Sequence, residues 1–505
     1  MNRKQFLKNS SFLLGALFPY RNLDTNTFTI DNDFVSKRPS EKNRTFISEE
    51  VEQIILEVKS VVKDKELAWM FENCYPNTLD TTVDYEVIDG KPDTFIITGD
   101  IDAMWLRDST AQVWPYIPLI KKDKKLKNLV LGLVNRQVKC VLTDPYANSF
   151  YKDLTKESDW IMDSPSPIPG VHERKWEIDS LCYVIRLSHK YYELTNDTSV
   201  FDEKWDETMR LIVKTFKTEQ RKDGTSPYYF ARNTTKMTDA PVFNGTGRPI
   251  KPTGMICSMF RPSDDATMYP YLIPSNIFAI ISLQQLAEVY ENVLKDSEFA
   301  EECKNFAIEI ENGVKKHAIA EHQGFGEIYA YEVDGFGNKV FMDDANVPSL
   351  MSLAYLGAHK PTDKIYRNTR AFLLSDANPY YLKGKYGEGQ ASPHTGKEKI
   401  WPMGITLRAM TSIDKKEILA CLKMLKDTPA DTGFMHEAFH KDNPKDFNRT
   451  WFAWANTLFG ELIPNEDTID MKIGRDTCAF RVGISPADGS YTEWVFSRPQ
   501  VINQT

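Results

Sequence analysis

The chain has 505 residues, 41% of them hydrophobic and 26% charged, which is typical of a globular protein with a large core. The formal net charge of −9, without any dense run of Lys and Arg, argues against nucleic acid and anionic membranes as partners, because both are bound by clustered basic charge. Aromatic residues make up 12% of the chain, and flat rings beside carboxylates suit a sugar-binding cleft.

The N-terminal region points to export. Arg3 and Lys4 precede a short apolar stretch at 12–18, which is the layout of a bacterial signal peptide and is too short to span a bilayer. The basic pair resembles a twin-arginine signal with Lys4 in the second position. We therefore expect residues 1–20 to be an export signal to the periplasm, with a cytoplasmic location left open, and residues 21–45 to be a linker. No other stretch approaches transmembrane length.

The cysteines are scattered without a CxxC motif, so they predict neither a zinc site nor a disulfide framework. We expect most to be buried thiols, although one or two bridges remain open if the protein is exported. They are Cys74, Cys140, Cys182, Cys257, Cys303, Cys421 and Cys478.

A helical pattern begins at Ser48, a capping residue followed by apolar residues at spacings of three and four. With a short apolar run after Arg107, the predicted helices number about twelve. The others lie near 122–141, 175–194, 199–217, 276–294, 298–318, 344–357, 363–375, 402–412, 415–426 and 448–463. Two segments have the pattern of strands, 84–98 around an Asp89-Gly90 turn and 325–341 around Gly335 and Gly337.

So many helices without alternating strands exclude a doubly wound or (β/α)8 fold, and the lack of a fixed-length repeat counts against a solenoid. The remaining arrangement is a closed double ring of helices with the site in loops at one mouth. We predict a mainly α fold, an (α/α)6 barrel with minor β-strand insertions, as a single catalytic domain over 46–505. An irregular helical domain fits the periodicity nearly as well.

The run 260–276 contains three prolines, which keep it out of helical geometry and predict an extended segment. Neighbouring side chains of an extended chain point to opposite sides, so Asp264 and Asp265 should face different partners. The alternative is structural, because Ser263 and the two aspartates could cap a short helix.

Polar clusters precede several other predicted helices. Acidic groups are favoured in first helical turns by the helix macrodipole, so any one cluster could be structural. Each of them, however, combines acids with Trp, Arg, His or Asn, and together they point to a functional site. They lie at 99–109, 176–180, 342–346, 431–440 and 449–456.

The sequence HEAFH at 436–440 matches the HExxH signature of zinc peptidases. That signature binds zinc only on a helix, where both histidines share one face. Pro429, Gly433 and Pro444 flank the segment and leave little room for a helix. We therefore interpret Glu437 as a carboxylate displayed on a loop.

Several of these segments resemble the signature segments of glycoside hydrolase family 125, the bacterial and fungal exo-α-1,6-mannosidases. The segments are 99–109, 254–276, 431–439 and 449–462. The resemblance extends from about residue 46 to about residue 498, and DAMWLRDS at 102–109 is long enough to be specific.

The resemblance implies an (α/α)6 barrel, hydrolysis with inversion of configuration and no metal ion. It also implies an aspartate general acid, which falls on the pair Asp264 and Asp265 with Asp264 favoured, and a glutamate general base, which falls on Glu437. Inversion requires the acid and an ionised carboxylate about 6.5–9.5 Å apart, with water between them. We expect burial and the Asp265 charge to raise the pKa of Asp264, and His436 to orient Glu437.

Polar side chains of the same segments are expected to hold the sugar hydroxyls, and Trp105 or Trp454 to offer an apolar face. The predicted substrate-binding residues are Asp102, Met104, Trp105, Arg107, Asp108, Glu177, Asp179, Arg261, Asn276, Asp343, Asp344, Asn346, His436 and Trp454. We expect no cofactor, a monomer, and α-mannoside glycans such as N-glycan or mannan fragments as substrates.

Two other functions fit the sequence. One is a different sugar-cleaving or sugar-eliminating activity on the same barrel, since a fold does not determine a reaction. The other is a non-catalytic glycan-binding protein, which would need no water-activating carboxylate opposite an acid.

Overall fold

The computed structural model describes residues 34–224 and 226–463. Contacts divide the chain after Val35, and the second compact unit, from Ser36, holds every helix and strand described below. The predicted export signal and Cys478 lie outside the described residues, so export remains a prediction. The other six cysteines are buried and free, as expected. Within the described part, no helix is long and apolar enough to cross a membrane.

The described residues are mainly helical, as predicted. Ser48 caps the first helix by accepting a hydrogen bond from the Val51 amide at 3.2 Å. The α-helices are α1 Glu49–Val61, α2 Lys65–Cys74, α3 Asn77–Thr81, α4 Leu106–Val113, α5 Lys124–Thr143, α6 Ile178–Thr195, α7 Glu203–Glu219, α8 Ile273–Val289, α9 Ser297–His317, α10 Lys364–Leu373, α11 Pro402–Met410, α12 Lys415–Asp427 and α13 Ala453–Leu462.

The strands are short and form small antiparallel sheets, β1-β2, β3-β4-β5, β6-β9-β10, β7-β8, β11-β12 and β13-β14-β15. Both predicted strand regions are confirmed. The strands are β1 Val83–Ile88, β2 Lys91–Ile96, β3 Met104–Trp105, β4 Ser149–Phe150, β5 Val171–Glu173, β6 Tyr271–Leu272, β7 Ile319–His322, β8 Gly326–Tyr329, β9 Glu332–Val333, β10 Lys339–Val340, β11 Tyr381–Lys383, β12 Glu388–Gln390, β13 Lys399–Ile400, β14 Ala438–His440 and β15 Asn443–Asn448.

Contacts between helices close a ring. Helix α4 packs on α6, α6 on α8, α11 on α13, and α13 returns to α4, while a 3₁₀ turn at Met351–Leu353 contacts both α8 and α11. Outside this inner ring, α5 packs on α6, α9 on α8, α10 on the 3₁₀ turn, α12 on α11 and α2 on α13, and α7 packs on α5. These inner and outer contacts are consistent with the double ring of the barrel prediction.

The predicted helix at 344–357 is wrong, because only the 3₁₀ turn forms there. Pro348 lacks a backbone donor and disfavours helical geometry in the residue before it. The Asp343 carboxylate then accepts hydrogen bonds from the amides of Leu350 and Met351 at 2.8 and 3.0 Å. A side chain therefore takes the amide bonds that a longer helix would have used.

Residues 36–45 of the predicted linker belong to the same compact unit as the helices. Arg38 is buried and binds both Glu52 and Asp80, with its Nε 2.7 Å from Asp80 Oδ2 and its Nη1 2.8 Å from Glu52 Oε2. Arg44 adds a bond to Glu52 at 3.1 Å. The domain therefore begins earlier than residue 46, with a charged arm that joins α1 to the end of α3.

Replacing Arg38 by Ala should lower the free energy of unfolding by about 3–5 kcal/mol, because it removes the arginine that donates to the buried Asp80 carboxylate and leaves it only with Arg44 at 3.6 Å as a charged neighbour. Lys91→Ala is the control, since Lys91 pairs with Asp202 at the surface with 69% of its side chain exposed. The control should cost at most about 1 kcal/mol. Urea unfolding of both variants measures the difference, and equal losses would contradict this account of the arm.

Candidate active site

Polar residues collect where the inner elements begin. Segments before α4, α6 and α8, before the 3₁₀ turn and before α13 each bring acidic or basic side chains to this end of the ring. The N-terminal ends of helices carry a partial positive charge, so they stabilise carboxylates placed there. The fold therefore brings together the polar clusters that the sequence places at helix starts.

Arg107, in the first turn of α4, is surrounded by four acidic side chains, which together form the acidic cluster of this site. Its Nη1 lies 2.6 Å from Glu177 Oε2 and 3.1 Å from Asp179 Oδ2. Its Nη2 lies 3.4 Å from Asp264 Oδ1, and its Nε lies 3.5 Å from Asp108 Oδ2. One buried guanidinium thus joins α4, the start of α6 and the segment before α8.

A left-handed backbone turn displays Asp264. Its φ is 64°, a conformation that aspartate tolerates better than most residues, and its amide donates to the Arg261 carbonyl at 2.9 Å. The side-chain Oδ1 receives a second donor, Asn148 Nδ2, at 3.2 Å, and Lys175 Nζ donates to the main-chain oxygen at 3.0 Å. The side chain is 22% exposed, so it can reach a bound molecule.

Asp265 faces away from this cluster, which confirms that the two aspartates have different partners. It is fully buried and accepts from Thr238 Oγ1 and Lys236 Nζ, each at 2.9 Å. His394 Nδ1 lies 3.6 Å from the same oxygen. Burial lowers the pKa of His394, but the hydrogen bond with Asp265 and the charges of Asp265 and Glu437 outweigh it and raise that pKa.

Glu437 lies directly before strand β14, so the residues of the HExxH match are not on a helix and the loop interpretation is confirmed. Its amide donates to the Asn448 carbonyl at 3.3 Å, and its Oε1 lies 3.6 Å from Arg449 Nη1. Arg449 is in turn held by Asp100, 2.8 Å from its Nε. Among the residues that the structure describes, no group of side chains has the arrangement of a metal site.

The prediction that His436 orients Glu437 is wrong. The imidazole stacks on Phe447 with ring centroids 3.6 Å apart, its Nδ1 lies 3.1 Å from the Arg449 main-chain oxygen, and its Nε2 lies 3.2 Å from Thr432 Oγ1. Burial lowers the pKa of His436. Its contacts fix the loop, and Arg449 rather than His436 contacts the Glu437 carboxylate.

The expected raised pKa of Asp264 is also wrong. Burial raises it, but the positive charges of Arg107 and Lys175 and a hydrogen bond from Glu177 outweigh burial, so that the pKa of Asp264 lies below its ordinary value. Burial instead raises the pKa of Glu177 well above its ordinary value, and raises the pKa of Asp108 to about 6. Asp265 faces other groups and is not the neighbour that controls Asp264.

Several predicted substrate-binding residues are occupied by the protein itself. Asn276 makes three bonds to main-chain groups, and Asn346 bonds to the Pro262 and Val347 main chain. Asp343 holds the 3₁₀ turn and Gln390, and burial raises its pKa to about 7. All three are therefore held by contacts within the protein, and their part in binding a sugar stays a prediction.

Three further predicted residues are also bonded or buried within the protein. Asp344 accepts from Ser263 at 2.7 Å, and Arg261 binds Glu332 at 2.6 Å. Trp454 is buried in α13 and offers no exposed face.

Of the residues before α4, Met104 is buried in β3, and Asp102 lies at the surface with 85% of its side chain exposed, 3.6 Å from Lys156. Trp105, Arg107, Asp108, Glu177 and Asp179 are the predicted binding residues that lie in or beside the acidic cluster.

Sequence reasoning missed Asn148, Lys175, Lys236, His394 and the role of Arg449. Asn148 comes from a segment without a polar cluster of its own, Lys175 lies directly before the cluster at 176–180, and His394 lies in a loop before α11. Arg449 was visible as part of a cluster, but its pairing with Glu437 spans strands β14 and β15. Only the fold brings these side chains together.

Buried polar atoms without a hydrogen-bond partner in the described protein are frequent here. Such atoms normally find partners, so those that lack one in a cleft are available to substrate or water. They include Trp105 Nε1, Arg107 Nε, Glu177 Oε1, Asp265 Oδ2 and Trp451 Nε1.

Separately held carboxyl groups in a buried polar pocket are the machinery of glycoside hydrolysis, and comparison with known proteins identifies the same class. A family model described as metal-independent alpha-mannosidase (GH125) matches residues 64–464. The chain therefore belongs to glycoside hydrolase family 125, which confirms the resemblance of its segments.

Two similar proteins cover most of the chain. A solved structure of a metal-independent α-mannosidase from Streptococcus pneumoniae, in a non-productive complex with α-1,6-mannobiose, is 41% identical, with a TM-score of 0.80. The match covers 85% of this chain and all of that one. The meiotically up-regulated gene 157 protein of Schizosaccharomyces pombe is 41% identical over 448 residues, which are 85% of this chain and 87% of that protein.

Proposed function

We propose that this α-mannosidase is an exo-acting, inverting α-1,6-mannosidase in which Asp264 is the general acid and Glu437 the general base. The observation that carries the assignment is that these two carboxylates come from different segments and both lie within electrostatic reach of one histidine, His394. Each also lies beside its own arginine, Asp264 beside Arg107 and Glu437 beside Arg449. This shared neighbour supports a site with an acid and a base on separate segments.

In the proposed reaction, the Asp264 carboxyl gives a proton to the glycosidic oxygen while the bond from that oxygen to the anomeric carbon breaks. Glu437 takes a proton from a water molecule, and the water oxygen bonds to the opposite face of the same carbon. Arg449 Nη1 lies 3.6 Å from Glu437 Oε1, which is too far for a direct hydrogen bond. The arginine charge therefore holds the carboxylate in place while its lone pairs stay free for water.

Two observations support the linkage and the exo mode. The 41% identical bacterial enzyme was crystallised with α-1,6-mannobiose. Neither proposed catalytic side chain is widely exposed, with 22% of the Asp264 side chain and 10% of the Glu437 side chain accessible. A buried pocket suits the single terminal sugar of a glycan better than the middle of a chain.

The proposal also covers the fold, the oligomeric state, the substrates and the location of the protein. We propose that the double ring is an (α/α)6 barrel acting as a monomer on α-mannoside glycans such as N-glycan or mannan fragments, and that the protein is exported. The alternatives are another glycosidase specificity on the same fold and a binding protein without turnover. Incubation with α-1,6-, α-1,3- and α-1,2-linked mannobiose distinguishes them, because only the proposed function releases mannose preferentially from the first.

If the carboxylates act on opposite faces of the anomeric carbon, the α-linked substrate should release β-mannose first. Proton NMR of early product should therefore detect the β anomer before mutarotation equilibrates the two forms. Initial release of α-mannose would require a covalent intermediate and two displacements, which would contradict the assignment of Glu437 as a base.

Substitutions should separate the two roles. Glu437→Gln should lower turnover of every substrate by about 10²–10⁴-fold or more, because water loses its base whatever the leaving group. Asp264→Asn should cause a loss of about that size on mannobiose and a much smaller loss on dinitrophenyl α-mannoside, whose leaving group needs no proton. Steady-state kinetics on both substrates measures this.

Asp265→Asn is the matched control, since Asp265 is adjacent but faces Lys236 and Thr238. Any loss of turnover in this variant should be the same for both leaving groups. If Asp265→Asn shows the dependence and Asp264→Asn does not, the acid has been assigned to the wrong member of the pair.

A further inference from the structure

An acid that must protonate a leaving group is placed in surroundings that favour its ionised form. The Asp264 carboxyl receives hydrogen bonds from Arg107 and Asn148, and the Lys175 ammonium lies against its main-chain oxygen. These groups stabilise the carboxylate. The proposed reaction therefore needs a source for the proton that Asp264 donates.

The charges around Arg107 require that a proton is held nearby. Four carboxyl groups lie within 3.5 Å of this one buried guanidinium, those of Asp108, Glu177, Asp179 and Asp264. Lys175 and Arg449 add positive charge near Asp264 and Asp108, but Lys175 also pairs with Glu173 and Asp239, and Arg449 with Asp100. Four ionised carboxylates around Arg107 would therefore still leave uncompensated negative charge, which is costly in a low-dielectric interior. At least one of the four is better accommodated in its neutral form.

Glu177 is the member of this group with the geometry to hold the proton. Its Oε2 accepts from Arg107 at 2.6 Å and from Ser180 at 2.8 Å, whereas its buried Oε1 has no donor among the described residues. The Glu177 and Asp264 carboxyls also lie close enough for a hydrogen bond, which forms only when one of the two carries a proton. A proton on Oε1 satisfies this oxygen and supplies that bond.

We propose that Glu177 holds the proton in the resting enzyme and passes it to Asp264 as Asp264 protonates the leaving group. This inference rests on the proposed function and adds a residue to it. Glu177 acts through Asp264, so it is a positioning residue and proton store, while Asp264 touches the substrate.

The protons balance over one turnover. The Glu177 O–H proton moves to the Asp264 carboxylate, and Asp264 transfers one proton to the glycosidic oxygen, which receives the electron pair of the broken bond. Glu437 gains one proton from the attacking water. The pocket then returns to its resting state when Glu437 releases that proton to solvent and Glu177 regains one through Asp264.

The titratable groups that face this pair come from several elements. Their charges set where the proton lies, and the directions agree, since burial raises the pKa of Glu177 while Arg107 and Lys175 lower that of Asp264. The groups are Arg107 and Asp108 of α4, Asp179 of α6, Glu173 of β5, Lys175, Asp239, His394 and, beside Asp108, Arg449.

Glu177→Gln tests the inference, because the amide keeps the size, the neutral charge and a donor toward Asp264 but has no transferable proton. Turnover of α-1,6-mannobiose should fall by about 10²–10⁴-fold, while turnover of dinitrophenyl α-mannoside should stay within about tenfold of wild type. The alkaline limb of kcat/KM for mannobiose should move to lower pH, since solvent must then protonate Asp264 at its lowered pKa.

Asp179→Asn is the matched control. Asp179 binds the same Arg107 nitrogen at 3.1 Å, so its loss disturbs the arginine in a similar way. Any loss of activity in this variant should be equal on the two substrates, and its alkaline limb should move less than that of Glu177→Gln. Thermal unfolding of both variants establishes that they fold.

Two results would overturn the inference. One is an alkaline limb of kcat/KM that does not move in Glu177→Gln. The other is an equal loss of turnover on the two substrates, which would indicate a structural role for Glu177. Should Glu177→Gln fail to fold, Glu177→Asp keeps an acid at shorter reach, and its loss must again be confined to mannobiose. The proposed function itself is contradicted by a different result, namely that the wild-type protein releases mannose from neither substrate.

Discussion

Burial of the Arg107 guanidinium is the constraint on which the arrangement of this site depends. A cation removed from water must be surrounded by acceptors, and Arg107 obtains them from α4, from the start of α6 and from the segment before α8. Those acceptors include the carboxyl groups on which the proposed reaction relies. The contacts that make the buried charge tolerable therefore also determine where Asp264 points.

The carboxylate of Glu437, the proposed base, is likewise held by an arginine. Arg449 lies between Asp100 and Glu437, so the loop before α4 and the strand pair β14-β15 are joined through one guanidinium. Arg261 binds Glu332, whose second oxygen accepts from the amides of Met268 and Tyr269 and holds the extended segment after Asp264. Buried ion pairs add little net stability, but they favour one geometry strongly. Arginines thus give these loops the precision that a helix would otherwise provide.

Features that depend on nearby residues could be predicted from the sequence. Periodicity identified most helices, the Asp89-Gly90 turn identified the β1-β2 hairpin, and the flanking Pro and Gly residues ruled out a helix at 436–440. Asp264 and Asp265 do have different partners, but the backbone at Asp264 is a left-handed turn with a φ of 64° rather than the extended chain that the prediction assumed. The failed helix at 344–357 shows the limit, since the Asp343 side chain captures amides that periodicity assigns to helical bonds.

Features that depend on distant residues could not be predicted. His436 is adjacent to Glu437 in the sequence, yet its ring stacks on Phe447 and bonds to the Arg449 main-chain oxygen. The pKa of Asp264 was expected to follow its neighbour Asp265, but Arg107 and Lys175, remote in sequence, lower it. Adjacency in the chain is a poor guide to electrostatics when the backbone turns a side chain away.

A crystal structure of the Glu437→Gln variant with intact α-1,6-mannobiose tests the central claim most directly. The account predicts the terminal mannose in the pocket, with the Asp264 carboxyl at hydrogen-bonding distance from the glycosidic oxygen. The amide that replaces the Glu437 carboxylate should lie on the opposite face of the anomeric carbon, with room for one water. A glycosidic oxygen that faces Asp108 instead, or both side chains on one face of the sugar, would contradict it.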